Sequence, residues 1–126
     1  MNDLRPGVEL NRAIAEEVMG WKEKFLPDPS GKRSYDEYYY EEPRSGVSQG
    51  YTYNWNPSSD ISQAFRVAEW MWEQGFRLNL ARLGSGEWQA SFSGVLRYHN
   101  SPATAICLAA LRDARELKSQ KKNSVK

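Results

Sequence analysis

Seven successive residues near the C-terminal end, Ala105-Ile106-Cys107-Leu108-Ala109-Ala110-Leu111, carry no strongly polar side chain, and they follow a helix-start signal at Ser101-Pro102. The serine supplies a capping oxygen, and the proline brings a φ already suited to the first helical position. The spacing predicts a helix from Ala103 to about Lys118, with Ile106, Ala109, Ala110, Asp113 and Leu117 on or beside one face. Leu108 and Leu111 extend the apolar surface nearly all the way round its first half. Such a helix belongs at the centre of a fold or at an interface between copies, and the other elements have to cover it.

Those elements are readable in outline. From Glu9 to Trp21, Leu10, Ile14, Val18 and Trp21 recur at steps of four, four and three, which describes one helical face, and Gly20 then Pro27, Pro29 and Gly31 mark its end and a turn-rich stretch. Asn56-Pro57-Ser58-Ser59-Asp60 is a second helix-start signal. The helix after it is expected to turn Ile61, Ala64, Phe65, Ala68, Met71 and Trp72 inward and Arg66, Glu69, Glu73 and Gln74 outward, stopping at Gly75. Beyond Gly75 the period changes to two. Phe76, Leu78, Leu80 and Arg82 alternate with Arg77, Asn79 and Ala81; Gly84-Ser85-Gly86 makes a turn; Trp88, Ala90 and Phe92 alternate with Gln89, Ser91 and Ser93. An antiparallel hairpin is expected here, with Gly94 bending the chain before a Val95 to His99 segment.

Residues 30 to 55 are crowded with Tyr35, Tyr38, Tyr39, Tyr40, Tyr51, Tyr53 and Trp55. The expectation is a long loop ending in a strand near Gly50 to Trp55. The aromatic cluster has two readings, a satellite core under the loop or an exposed surface for stacking or dimerisation.

At 126 residues the chain suits one domain. That domain is expected over 1–118, with a Tyr-rich insert at 30–50 and a disordered basic tail at 119–126, and its class is α+β: an antiparallel sheet packed with three helices, an α/β sandwich. A net charge of +1 gives no overall reason to coat duplex nucleic acid. Neither an apolar leader nor a membrane-spanning run is visible, so no membrane partner and a cytoplasmic location are expected. The one cysteine, Cys107, lies in the apolar run and reads as a core thiol.

The chemistry points to binding rather than catalysis. The one histidine, His99, has no Cys or second His at metal-ligand spacing, and Gly84-Ser85-Gly86 is too short for a phosphate loop. No metal site, no cofactor and no catalytic residue are expected. What remains is arginine among aromatics: Arg77 and Arg82 on the first hairpin strand, Arg97 beyond the second, and Arg112 and Arg115 a helical turn apart. Forked guanidinium donors and flat rings suit a phosphorylated or nucleotide-like ligand, and scattered surface arginines would give the same letters.

Four blocks, in order, carry a resemblance: Ala15-Glu16-Glu17-Val18-Met19-Gly20-Trp21, Asn56-Pro57-Ser58-Ser59-Asp60-Ile61, Trp88-Gln89-Ala90-Ser91-Phe92, and Ala103-Thr104-Ala105-Ile106-Cys107-Leu108-Ala109-Ala110-Leu111. Together they resemble the phage ABA-sandwich domain family, over the first helix and most of Trp55 to Arg112. The Tyr-rich insert looks longer than that family's usual connection, so nothing about it carries over. The resemblance implies an α/β sandwich and a phage origin. By type, in size and Arg/aromatic content, the chain is also similar to the small homo-oligomeric phage proteins that sequester nucleotide second messengers of bacterial immunity, such as cyclic ADP-ribose isomers or cyclic oligonucleotides. That similarity implies a homo-oligomer in the host bacterial cell that holds such a messenger without cleaving it. Tyr53, Trp55 or Trp88 would stack on a base, Arg77, Arg97, Arg112 and Arg115 would meet phosphates, and His99 and Asn100 would hydrogen-bond ribose or base edges. The rival expectation is a module that binds a host protein through its aromatic surface.

Overall fold

The computed structural model describes residues 5–26 and 37–124. Pro27, Pro29, Gly31 and Tyr35, and with them the start of the Tyr-rich insert, lie outside the described residues.

The helix read from the apolar run is α3, Pro102–Ser124. Every residue from Ala103 to Leu111 is buried, so the packing on all sides anticipated for this half is present. Ser101 Oγ accepts from the Thr104 N–H at 3.4 Å, capping the helix as its sequence position requires. The expected tail from Ser119 is corrected: the helix continues through Ser124. Lys118 and Gln120 are good helix formers, and a lysine near a helix C-terminus is favoured by the dipole.

Three elements cover α3. One is α2, Ile61–Glu73, whose N-cap Asp60 accepts from the Ser62 and Gln63 N–H groups. Another is the sheet β4 (Asn79–Arg82), β5 (Trp88–Ser91) and β6 (Arg97–His99), antiparallel in the order β4-β5-β6. The third is the N-terminal segment, where α1, Val8–Ala13, widens into a π-helical turn, Ile14–Val18. In that turn the Met19 N–H reaches back to the Ile14 carbonyl at 2.9 Å. Ala13, Ile14 and Ala15 are buried in succession where the helix widens.

The face expected of α2 is corrected. Ala64, Val67 and Met71 are the buried residues, whereas Ile61, Phe65 and Trp72 are exposed. The small Ala64 is fully buried on the side that meets α3, and Trp70 is anchored by its Nε1–H donating to the Val18 carbonyl at 2.8 Å. The helix is thereby rotated by about a quarter turn from the stripe its largest residues suggest.

The long loop expected over 30 to 55 is corrected as well. A second antiparallel sheet, in the order β1-β2-β3, joins β1 (Lys22–Leu26), β2 (Glu37–Glu42) and β3 (Val47–Tyr51). β1 reads Lys-Glu-Lys-Phe-Leu, too charged to signal a strand, and it forms because Glu23 lies opposite Tyr40 and Phe25 opposite Tyr38. The strand expected from Gly50 to Trp55 ends at Tyr51, and Thr52–Asn54 is a 3-10 turn.

A polar staple joins α1 to the entry of α2. Asn11 Oδ1 accepts the Ser58 N–H at 3.0 Å, Ser58 Oγ accepts the Gly7 N–H at 3.1 Å, and the Ser58 carbonyl accepts the Thr104 hydroxyl at 2.8 Å. Asn11, Ser58 and Thr104 are buried, and these bonds are what make burying them tolerable.

Candidate functional site

The aromatic residues of the insert divide between the two readings left open by the sequence. Trp55 and Tyr40 are buried with Trp21: the Trp21 and Trp55 ring centroids are 4.7 Å apart and those of Trp21 and Tyr40 5.9 Å. The Arg66 guanidinium lies over both tryptophans, 5.6 Å from the Trp21 ring and 5.4 Å from the Trp55 ring. Tyr53 is 63% exposed and stacks parallel on Tyr51 at 5.3 Å.

Between this cluster and α1 lies a cleft of ≈ 290 Å³, lined by Val8, Asn11, Arg12, Tyr40, Thr52, Tyr53, Trp55 and Asn56. Its walls are held by local bonds. Asn56 donates through Nδ2 to the Tyr53 carbonyl at 3.1 Å, Asn11 Nδ2 donates to Asn56 Oδ1 at 3.4 Å, and the Asn56 N–H donates to Gln63 Oε1. The 3-10 turn that presents Tyr53 is therefore tied both to α1 and to α2. Arg12 reaches Glu23 at 4.0 Å with over half of its side chain exposed. Burial pushes the Tyr40 hydroxyl pKa up, and Glu23 and Glu16 add to the shift while Arg12 opposes it. Trp55 Nε1 is buried with no hydrogen-bond partner among the described residues. An indole N–H so placed costs about 1–3 kcal/mol relative to a satisfied one.

Of the residues expected to form a site, the structure brings Tyr53 and Trp55 to this cleft and none of the expected arginines. Arg115 forks onto Glu17, Nε to Oε1 at 2.9 Å and a terminal nitrogen to Oε2 at 3.0 Å. Arg112 pairs with Asp113 at 3.0 Å, and Asp113 also accepts from the Ser93 hydroxyl at 2.8 Å. Arg77 precedes β4 rather than lying on it, and its guanidinium sits 5.3 Å from the Trp72 ring centroid. Arg97 donates to the Leu96 carbonyl at 3.1 Å from its place opposite Ala90 on β6. Trp88 and His99 are cross-strand partners, with Arg82 over the Trp88 ring at 5.9 Å. His99 Nδ1 accepts the Ser101 N–H at 3.0 Å, a bond that fixes the entry to α3, and Asn100 is exposed beside it. The arginines expected to converge on phosphate each have a separate partner.

Sequence reasoning missed Arg12, Asn11 and Tyr40 as cleft residues. One signal was available: Asn11 sits next to Leu10 within an amphipathic helix, and a buried asparagine there has to find partners across the fold. Arg12 gave none, since an arginine on a helix surface is ordinary.

Among the described residues, no group of three or more His, Cys, Asp or Glu side chains is placed to hold a metal ion. No helix among them is long and apolar enough to cross a membrane.

A comparison with curated protein sequences returned no match. The solved structure of a phage protein from Bacillus cereus ATCC 14579 is similar with a TM-score of 0.58 and 17% identity, covering 91% of this chain and 92% of that one. At that identity the likeness concerns the fold alone. The phage ABA sandwich domain matches residues 12–111, from α1 to the last buried leucine of α3. The chain therefore belongs to the phage ABA sandwich domain family.

Proposed function

We propose that the chain is a non-catalytic binding protein whose cleft between α1 and the 3-10 turn takes a flat-ringed, anionic ligand. The class we favour is a nucleotide-type immune second messenger, a cyclic ADP-ribose isomer or a cyclic oligonucleotide, sequestered in the cytoplasm of the host bacterial cell so that anti-phage defence is blunted. The observation that carries this reading is that the exposed Tyr53 and Arg12, together with the largely buried Tyr40 and Trp55, line one space of ≈ 290 Å³. Aromatic planes stack on bases whatever their sequence, and a guanidinium matches phosphate geometry. The volume is at the low end of the roughly 300–1,000 Å³ usual for ligand pockets, so one ring enters and the rest of a larger messenger lies over the exposed lip at Tyr53. Membership in a phage family supports the setting.

The test is ligand recovery. Purified protein is incubated with lysates containing cyclic nucleotide signals, washed and denatured, and the released molecule is identified by mass spectrometry. An intact nucleotide in stoichiometric amounts from the wild type, reduced at least about tenfold in Tyr53→Ala and Arg12→Ala, is the expected result, corresponding to about 1.4 kcal/mol or more of lost affinity. A cleaved product would make the protein an enzyme, and no release from any lysate would remove the small-ligand reading.

A second reading, a module that binds a host protein, is favoured by Phe25 and Tyr38. They meet edge to face at 5.5 Å and are 48% and 44% exposed. Host-protein capture that survives Arg12→Ala and is lost in Tyr38→Ala would select it.

A further inference from the structure

β2 carries Tyr38, Tyr39 and Tyr40 in succession, and a strand turns successive side chains to opposite faces. Tyr40 is buried beside Trp21 and Tyr38 meets Phe25, which leaves Tyr39 and Glu41 on the other face of the β1-β2-β3 sheet. There Tyr39 lies opposite Tyr51 and Glu41 opposite Ser48. The register slips between those two pairs, and Gly50, at φ +98°, stands in the slip with no side chain to fill the space above it. The result is a groove of ≈ 420 Å³ lined by Tyr39, Glu41, Gly46, Ser48, Gly50 and Tyr51. That volume lies within the roughly 300–1,000 Å³ of small-molecule sites. The groove shares no lining residue with the cleft at Trp55.

The residues around the groove narrow the ligand by their chemistry. Tyr39 and Tyr51 are its only apolar side chains, so a wholly apolar occupant would cover the Glu41 carboxylate without pairing it. A cation would meet Lys22 and Lys24, which lie on the same face opposite Glu41 and Tyr39, and an anion would meet Glu41 itself. An added peptide strand needs free main-chain groups along β3. Three of these are taken by local side chains: Ser45 Oγ accepts the Val47 N–H at 3.3 Å, Gln49 Nε2 donates to the Val47 carbonyl at 3.4 Å, and Ser48 Oγ accepts the Gly50 N–H at 3.2 Å. What fits is a neutral molecule with flat apolar faces and a rim of groups that both donate and accept.

We propose that this groove binds a neutral carbohydrate, built of pyranose rings whose hydroxyls are equatorial. Such a ring turns its axial C–H bonds to its two faces, and these meet the electron-rich face of a tyrosine ring. Ser48, whose oxygen already accepts from Gly50, keeps its hydroxyl proton to donate to a sugar oxygen. Glu41 accepts from sugar hydroxyls in charge-assisted bonds. Tyr53, stacked parallel on Tyr51 at 5.3 Å, backs the Tyr51 ring and restricts its tilt.

The test uses two neutral β-linked disaccharides, cellobiose and N,N′-diacetylchitobiose, titrated onto the full chain and followed by saturation-transfer difference NMR. At least one is expected to bind with a Kd on the order of 1 mM, with the strongest transfer at the C–H protons of a ring face. Tyr51→Ala is expected to weaken that binding at least about tenfold, as loss of a stacking ring should. Glu41→Gln keeps the shape of the wall and removes its charge, and it is expected to weaken binding about threefold while circular dichroism stays that of the wild type. It also serves as the deciding variant should Tyr51→Ala fold poorly. Failure of both sugars to bind at about 10 mM overturns the proposal. So does binding that is unchanged in folded Tyr51→Ala or Glu41→Gln protein.

Discussion

Arg115 holds both carboxylate oxygens of Glu17, at 2.9 and 3.0 Å, across 98 residues of sequence. The pair fastens the π-helical turn at the N-terminal end of the chain to the second half of α3. It also takes out of play an arginine that its position among aromatics suggested for phosphate. Two of the guanidinium's five N–H donors, on Nε and one terminal nitrogen, are committed to the glutamate.

The pair makes a pH-dependent contribution whose sign is fixed. The hydrogen bond from Arg115 is the largest effect on Glu17 and lowers its pKa, partly offset by burial. A carboxylate with a depressed folded pKa contributes stability above its unfolded pKa, and the contribution is lost as pH falls through the folded value. Both side chains are partly exposed, so the contribution is expected near the top of the surface range, about 1 kcal/mol. Urea denaturation of wild type and Glu17→Gln at pH 7 should differ by that much, and the difference should fade at pH 3. An equal difference at both pH values would mean that the loss is one of packing, not charge.

Asn11 is expected to matter more than its polar, helical setting suggests. Asn11→Ala leaves the Ser58 N–H buried without an acceptor and removes the tie from α1 to the entry of α2. The expected cost is about 1–3 kcal/mol. Chemical denaturation measures it, and a loss below about 0.5 kcal/mol would show that the loop finds another acceptor.

The sequence made the layout around α3 legible because its signals there are local and mutually consistent. The cap at Ser101, nine successive buried positions from Ala103, the cap at Asp60 and a strand beginning at Trp88 lie where period and capping put them, although Ser91 is buried along with Ala90. What it hid depends on contacts between distant residues. β1 is a strand only because Tyr38 and Tyr40 arrive opposite it, and its own charges argue otherwise. The rotation of α2 follows from the fit of Ala64 and Val67 inside the fold, whereas counting large apolar residues weights Phe65 and Trp72 most heavily. The candidate site behaves similarly. Aromatic clustering is visible in the letters, and Tyr53 and Trp55 do line one cleft, whereas where each arginine lies depends on charge partners such as Glu17 that the tertiary fold chooses.

Gly20 is a position where only backbone freedom is at issue. Its φ is +74°, it ends the π-helical turn just before Trp21 and β1, and a Cβ built there meets nothing within 4 Å. Gly20→Ala is therefore expected to cost about 1–2 kcal/mol by conformation alone. Gly20→Asn should cost less, because asparagine tolerates the left-handed region. Thermal unfolding of the two variants decides it, and equal losses would point to a steric cause instead.

Cys107 gives a probe of how firmly the α3 layer is closed. Burial pushes its thiol pKa up to about 12, and its side chain is fully buried among the residues that pack α3. Only the thiolate reacts with a disulfide reagent, and neither thiolate nor access is available in the closed fold at pH 8. Labelling under native conditions is expected to proceed only through opening of the fold, so its rate should rise with denaturant in parallel with global unfolding. The same shift sets a stability trend. A thiol pKa raised on folding contributes fully below the unfolded value of about 8.5 and is lost as pH rises toward the folded one, so stability should decline above about pH 8.5 and this part of the decline should vanish in Cys107→Ala. Fast labelling of the native protein, independent of denaturant, would mean that the first half of α3 opens locally and that its packing is looser than nine successive buried residues imply.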